Sequence, residues 1–357
     1  MKNVGIIIGD ITRSAGTERA VTNLSNLLIK YGSYNVTIIS VNSKYGTKCY
    51  YQLDFKVQIE HLELKSLKLP KGIVSYFYLV KKCNSIIKTK KFDFILGTTH
   101  AINSLMIFLK GGVKKIACEH MNYNACPRFS SRIRKICYPK LDAVVLLTKA
   151  DAAHYGFIRD KKIFVIPNSL SFTVERPAEL DNKRIIAVGR LTKQKGFDLL
   201  IHAAVEIRKQ LPDWKIDIFG DGEDKEKLLK MISDYGLSDY IFINNPTPNI
   251  QQELLKSSLC VITSRWEGFS MILIEAKACG LPVVSFDCPD GPAEIIENAQ
   301  DGYLINRGDE IEFISKVVKI CKNYKLRLKL GNKAKENSSN FSPSIIFNKW
   351  EYLFKSL

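Results

Sequence analysis

What this chain lacks narrows its function before any motif does. No window of about 18 to 20 residues is both apolar and uncharged, so no transmembrane helix is expected. The opening stretch Met1–Asp10 holds too short an apolar run for a secretory signal and reads as a first buried strand. The nine cysteines include no Cys-x-x-Cys and no Cys/His pair at ligand spacing, and the five histidines are dispersed. Structural zinc and a disulfide framework are both disfavoured, and a reducing cytoplasm is favoured. No metal site follows from the residues. Glycine is equally sparse where a dinucleotide site would need it: Gly16 stands alone after the first strand, where that fingerprint asks for three spaced glycines. NAD binding is therefore not expected.

Acidic residues are scarce in one half only. Residues 1–170 hold 27 Lys/Arg against 10 Asp/Glu, and residues 171–357 hold 26 against 26, so the whole net charge of +17 lies in the first half. A one-sided basic half suggests a polyanionic partner, either nucleic acid or an acidic membrane leaflet. Two amphipathic basic segments concentrate it. One runs from Lys71 to Phe94, with Ile73, Phe77, Val80, Ile86 and Ile87 among Lys71, Lys81, Lys82, Lys88, Lys90 and Lys91. The other runs from Arg128 to Lys140, with Phe129, Ile133, Ile136 and Tyr138 among Arg128, Arg132, Arg134, Lys135 and Lys140. Each alone fits an ordinary helix with a solvated face. Together with the charge asymmetry they favour docking of the first half on an anionic membrane surface.

The chain is otherwise ordinary for a globular protein, with 46% hydrophobic and 25% charged residues and length for two domains. Short buried strands alternate with helices throughout. Val4–Ile8, Val36–Ser40, Phe94–Gly97, Lys115–Cys118, Leu141–Thr148 and Ile163–Ile166 read as strands of the first half, the last ended by a turn at Pro167-Asn168. The polar stretch Ser169–Asn182 reads as a linker, after which the alternation restarts at Arg184–Arg190. Ile216–Gly222, Ile241–Thr247 and Leu259–Thr263 continue it.

The most informative stretch is Glu267–Glu275. Two carboxylates eight positions apart flank a glycine turn that runs into an apolar helix, and that helix stops at Gly280. Glu267 is expected at the C-terminal end of a parallel strand, the ligand edge of an open α/β sheet. Gly268, Phe269, Ser270 and Met271 fall on the helix N-terminus, whose free N–H groups and dipole suit an anion. An anion carrying hydroxyls on either side would fit, as a sugar nucleotide does. Arg190 and Lys195 share the loop after Ile185–Val188, and two cations on such a loop suit a diphosphate leaving group.

The Glu-x7-Glu spacing, the flanking Ser264–Ser270 and Gly280–Ser285, and Gly189-Arg190-Leu191-Thr192-Lys193-Gln194-Lys195-Gly196 resemble retaining family-four glycosyltransferases. Asp287–Ile296 resembles the subgroup that builds bacterial surface polysaccharides, capsule and O-antigen included, and lipid-linked oligosaccharides.

The resemblance implies a GT-B fold: two Rossmann-like domains, 1–168 and 183–340, facing each other across a deep cleft, with a closing helix in 341–357 that crosses back to the first. It implies that Arg190 and Lys195 hold the diphosphate of a UDP-sugar or similar donor and stabilise its departure. Glu275 would accept the ribose hydroxyls, and Glu267 with the Gly268–Met271 backbone would grip the sugar and phosphate. His120, after the strand Lys115–Cys118, would line the sugar and acceptor side. Gly16 would lie under the diphosphate, although the family's Gly-Gly pair is Ala15-Gly16 here. Gly220 would allow close backbone approach to the donor, and Thr247 falls where backbone binds the base. The implied partners are a nucleotide-sugar and a glycan or polyprenyl-diphosphate-linked acceptor, with no cofactor and no metal. From the cysteine usage and the basic first half, the expected location is the cytoplasm, peripheral at the inner face of the plasma membrane. A sugar-nucleotide epimerase of the same fold and a nucleic-acid-binding protein remain as alternatives.

Overall fold

The computed structural model describes residues 1–67, 73–123, 126, 128–289 and 291–357. Lys71 and Asp290 lie outside the described residues, as do the side chains of Ile73 and Arg128. The chain divides into two compact units: unit 1 comprises Met1–Ser169 and Pro343–Leu357, and unit 2 comprises Leu170–Ser342.

In chain order unit 1 runs β1 (Lys2–Ile8), α1 (Gly16–Tyr31), β2 (Tyr34–Ser40), β3 (Gln58–His61), α2 (Ile73–Lys90), β4 (Phe94–Gly97) and α3 (His100–Leu105). It continues through β5 (Lys114–Cys118), α4 (Arg128–Cys137), β6 (Ala143–Leu146), α5 (Lys149–Ala152) and β7 (Ile163–Val165). The seven strands pair in parallel in the order β3-β2-β1-β4-β5-β6-β7. A parallel sheet is covered on both faces, so its strands read as continuous apolar runs. The period of two then sorts them. Ile6, Ile38, Leu96, Ile116 and Val145 pack with α1, while Ile7, Ile39, Ile95, Ala117 and Val144 pack with residues of α2, α3 and α4.

Unit 2 contains β8 (Arg184–Val188), α6 (Phe197–Gln210), β9 (Lys215–Phe219), α7 (Lys225–Asp234), β10 (Ile241–Asn244), α8 (Ile250–Leu255) and β11 (Leu259–Ile262). After these come α9 (Met271–Ala278), β12 (Val283–Asp287), β13 (Gly302–Asn306), α10 (Glu310–Lys322) and α11 (Tyr324–Ser338). Its six parallel strands lie in the order β10-β9-β8-β11-β12-β13. In both sheets the first strand is central, and the chain winds outward first to one side and then to the other. This is the doubly wound order expected from the βα alternation.

A last helix, α12 (Pro343–Ser356), packs on unit 1, burying Ile346, Phe347, Trp350, Leu353 and Phe354. Phe354 stacks on Phe94 with ring centroids 4.4 Å apart. Each of these large side chains contributes about 2–3 kcal/mol of burial.

Four sequence readings change. The first basic helix ends at Lys90, where Lys91 takes φ 49° and breaks it, so Phe94 belongs to β4. Arg134 is not on the basic surface: its side chain is buried, donating from Nη1 to Tyr155 Oη at 2.9 Å and from Nη2 to the Tyr123 carbonyl at 3.1 Å. The expected linker packs onto unit 2 from its second residue, with Leu170, Ala178 and Leu180 in the core and the Ala178 N–H donating to the Cys279 carbonyl. Finally, β3 has polar alternate positions and carried no strand signal in the sequence.

Candidate active site

In a doubly wound sheet the crevice opens where the strand order reverses, at the C-terminal ends of the two central strands. In unit 2 those strands are β8 and β11. The loop after β8 carries Arg190 and Lys195, and the loop after β11 carries Glu267. Lys195 Nζ lies 2.5 Å from Glu267 Oε1, a contact between residues 72 apart in sequence. Glu267 is buried and also accepts from Ser264 Oγ at 2.6 Å, so one carboxylate oxygen, Oε1, takes both donors.

Backbone and side-chain contacts fasten the two loops. Arg265 grips Asp198 with two hydrogen bonds, of 2.8 and 2.7 Å, and donates to the Lys193 carbonyl at 2.9 Å. The hydrogen bonds from Arg265, together with its charge, hold the Asp198 carboxyl below its usual range even against partial burial. Gln194 donates to the Trp266 carbonyl at 3.0 Å, and its own carbonyl accepts from the Arg265 N–H at 2.7 Å. Two glycines make this closeness possible. Gly196 has φ 65°, and a Cβ there would lie 2.1 Å from the Thr263 carbonyl oxygen. At Gly220 a Cβ would lie 1.9 Å from the Gly189 oxygen, so that glycine is required by the packing of the β8 loop itself.

Arg190, on the same loop as Lys195, is exposed, and its one side-chain hydrogen bond among the described residues goes to Gln194 Oε1 at 3.3 Å. Past Glu267, Gly268 and Phe269 are half-buried and lead to α9, where Ser270 is buried and its Oγ makes no hydrogen bond among the described residues. Phe269 packs edge-on against Phe341 at 5.8 Å. Met271 opens the helix, and its first-turn N–H groups are those an α-helix leaves without intrahelical partners. One turn on, Glu275 is fully buried, with Oε1 accepting from Ser171 Oγ at 2.5 Å. Thr247 follows β10, its hydroxyl accepting from the Asn249 N–H at 3.1 Å.

The chain spans 97% of the amylovoran biosynthesis glycosyltransferase AmsD of Erwinia amylovora, with 32% identity over 97% of its own length. This chain belongs to the group 1 glycosyl transferases. The model of that family matches residues 172–337, nearly all of unit 2. A Campylobacter jejuni relative, named as an α-1,4-N-acetyl-D-galactosaminyltransferase acting on a GalNAc-containing undecaprenol diphosphate, is 25% identical over 98% of this chain and 97% of its own. Among solved structures, S. aureus TarM in complex with fondaparinux, α-GlcNAc-glycerol and UDP superposes with TM-score 0.83 at 18% identity, covering 99% of this chain and 100% of that one. The last similarity establishes the fold, that of GT-B enzymes.

In this glycosyltransferase the remaining two predicted residues lie in unit 1. Gly16 is exposed at the start of α1, and a Cβ there would meet nothing within 4 Å, so packing does not require a glycine. His120 follows β5 and lines a cavity of about 30 Å³ with Ala20, Leu24, Leu96, Val145 and Asn168. The residue is half-buried, and the apolar surround strips water from its ring and lowers its pKa to about 4. The imidazole is therefore neutral at pH 7, and its enclosed Nδ1 has no hydrogen-bond partner among the described residues.

The sequence reading missed the residues that hold these groups in place. Ser264 and Arg265 fall in the family-like stretch but carried no assigned role, Ser171 carried no signal, and only the fold brings them to their partners. Glu119 is buried next to His120, accepting from Tyr138 Oη and, at 3.1 Å, from Asn103 Nδ2. Burial raises its pKa, against the lowering by Tyr138, Arg134 and Asn103. Its adjacency to the histidine was the one available signal. No group of three or more possible metal ligands occurs among the described residues, and none of their helices is long and apolar enough to cross a membrane.

Proposed function

We propose that this enzyme moves a hexose or N-acetylhexosamine from a nucleoside diphosphate sugar, UDP foremost, to a glycan acceptor on a polyprenyl diphosphate, with retention at the anomeric carbon. The observation that carries the reading is the Lys195–Glu267 contact at the strand-order reversal of unit 2. A cation and a carboxylate held together there can separate their tasks once a donor enters. Lys195 and Arg190 would take the diphosphate, Glu267 the sugar hydroxyls, and Glu275 the ribose. The α9 N-terminus and the Ser270 hydroxyl offer donors to the phosphates.

In the step proposed, the acceptor oxygen bonds to the anomeric carbon while the bond from that carbon to the diphosphate breaks. The acceptor proton passes to the departing phosphate oxygen on the same face. Charge accumulates on the diphosphate as it leaves, and Lys195 and Arg190 stabilise it there most. His120, neutral at pH 7, would contact the sugar by hydrogen bonding rather than as a fixed charge. The names of the Erwinia and Campylobacter relatives support a surface-polysaccharide acceptor, and the UDP in the TarM complex supports the nucleotide. Those relatives are named as transferases, which disfavours the epimerase reading.

A thermal-shift screen against UDP, GDP, ADP and their sugar conjugates tests the donor site. One nucleotide should stabilise the enzyme selectively, and Glu275→Ala should abolish that shift. No shift with any of them, from a folded sample, would overturn the assignment. Proton NMR of the product then reads the anomeric configuration.

A further inference from the structure

We propose that the helix layer of α2, α3 and α4 in unit 1 is a docking face for an anionic phospholipid bilayer. It rests on surface chemistry alone, independently of the donor and acceptor assigned above.

The first observation is that α4 carries large apolar side chains on its outer face. Arg134 points inward to Tyr155 and Tyr123, while Phe129 and Ile136 are 71% and 64% exposed. Phe129, Arg132 and Ile136 are spaced i, i+3, i+7 and so share one face, with exposed Lys135 beside them. Ordinary amphipathic packing would bury the apolar residues and expose the arginine, because burying a guanidinium requires partners for its donors. Here Nη1 and Nη2 have partners, and although Ile133 and Cys137 pack inward, Phe129 and Ile136 are left in water.

The second observation is that α2 repeats the pattern on the same side of the sheet. Its exposed stripe runs Val74, Phe77, Lys81, Lys88, with Phe77 72% exposed. The turn after α3 joins the stripe: Asn84 of α2 accepts from the Lys110 N–H at 2.7 Å and donates to the Phe108 carbonyl at 3.4 Å. Phe108 is itself 58% exposed. All three helices pack on the sheet face of Ile7, Ile39, Ile95, Ala117 and Val144, so their outer surfaces face the same way.

Charge completes the match. Residues 73–140 hold 13 Lys/Arg against two Asp/Glu; Arg134 is buried, while Lys81, Lys82, Lys88, Lys110, Arg132 and Lys135 are exposed. Basic residues on this layer would be drawn to an acidic leaflet, and phenyl and aliphatic groups between them can enter the headgroup region. A duplex phosphate backbone would use the same charges but gain little from the apolar groups. Phenyl rings can stack on unpaired bases, so single strands are a control the test must include.

The experiment is co-sedimentation of the full chain with vesicles of phosphatidylcholine, alone or mixed with phosphatidylglycerol. Binding should favour the anionic vesicles at least about ten-fold and should weaken with salt. The double variants Arg132→Glu/Lys135→Glu and Phe129→Ser/Ile136→Ser should each lower it about ten-fold or more. Lys30→Glu/Lys349→Glu makes the same charge change on exposed positions of α1 and α12, the opposite layer, and should leave binding within about two-fold. Thermal unfolding checks that each variant is folded, and Phe77→Ser on α2 gives a second reading if an α4 variant is not. Equal binding to both vesicle types, equal loss in the opposite-layer variant, or stronger binding to single-stranded or duplex oligonucleotides would overturn the proposal.

Discussion

Unit 1 carries 29 Lys/Arg against 11 Asp/Glu and unit 2 carries 24 against 25, although both wind their central strands in the same order. Unit 2 holds some of its charges in pairs shielded from solvent: Lys195 against Glu267, Arg265 against Asp198, and Lys277 against Asp301, the last almost fully buried at 2.6 Å. Unit 1 leaves most of its cations on the surface, with phenyl and aliphatic side chains among them. A shared topology thus says nothing about net charge. The strand order is set by apolar patterning and by the handedness of the connections, whereas surface charge reports on what the surface meets.

The largest effect expected from breaking this comparison is on stability. Phe354→Ala removes the stack on Phe94 and the contact with Tyr34 at 5.4 Å, and should destabilise unit 1 by about 3–5 kcal/mol. Because α12 belongs to unit 1, calorimetry should show one transition moving down while unit 2 holds its own. A single transition shifting as a whole would show that the units unfold together.

Lys195→Ala should come next, lowering kcat by about 100- to 1,000-fold, near 3–4 kcal/mol, through loss of charge stabilisation as the diphosphate leaves. Donor KM should move far less, and steady-state kinetics separates the two. Near-normal turnover would remove Lys195 from the chemistry.

The smallest effect is in the pH dependence of unit 1. The His120 pKa is lowered from 6.5 to about 4 in the fold. Between those values the unfolded chain binds the proton and the folded chain does not, so stability is lost as pH falls from about 6.5 towards 4 and is level above. Allowing for the partial exposure of the residue, the loss is about 1–2 kcal/mol. Glu119, with its pKa raised by burial, acts with the opposite sign on acidification. The comparison is therefore parent against His120→Phe in urea unfolding between pH 7 and 4, where the variant should lose less stability on acidification.

The places in the fold of the candidate residues of unit 2 were legible because parallel sheets impose simple rules on sequence. Buried strands read as apolar runs, ligand groups follow their C-terminal ends, and Gly280 closes α9 with φ 77°, as its helix-stop position requires. What the residues alone placed poorly were sides and partners. Arg134 was read as surface because a helix period shows which residues share a face, but not whether a polar socket waits beneath it. Ser169–Asn182 was read as loose because polarity marks loops. Its few apolar residues, Leu170, Ala178 and Leu180, nevertheless found a core.

By itself, then, the sequence determined the alternation of strands and helices, the loops that carry Arg190, Lys195 and Glu267, and the one-sided charge. These are local or additive properties of the chain. Only the tertiary structure decided that Lys195 would meet Glu267 across 72 residues and Ser171 would meet Glu275 across 104. It also decided that Phe129 and Ile136 would face water while Arg134 turned inward. Those outcomes depend on which strands become neighbours and on what lies beneath each helix, and both are fixed only when the whole sheet has closed.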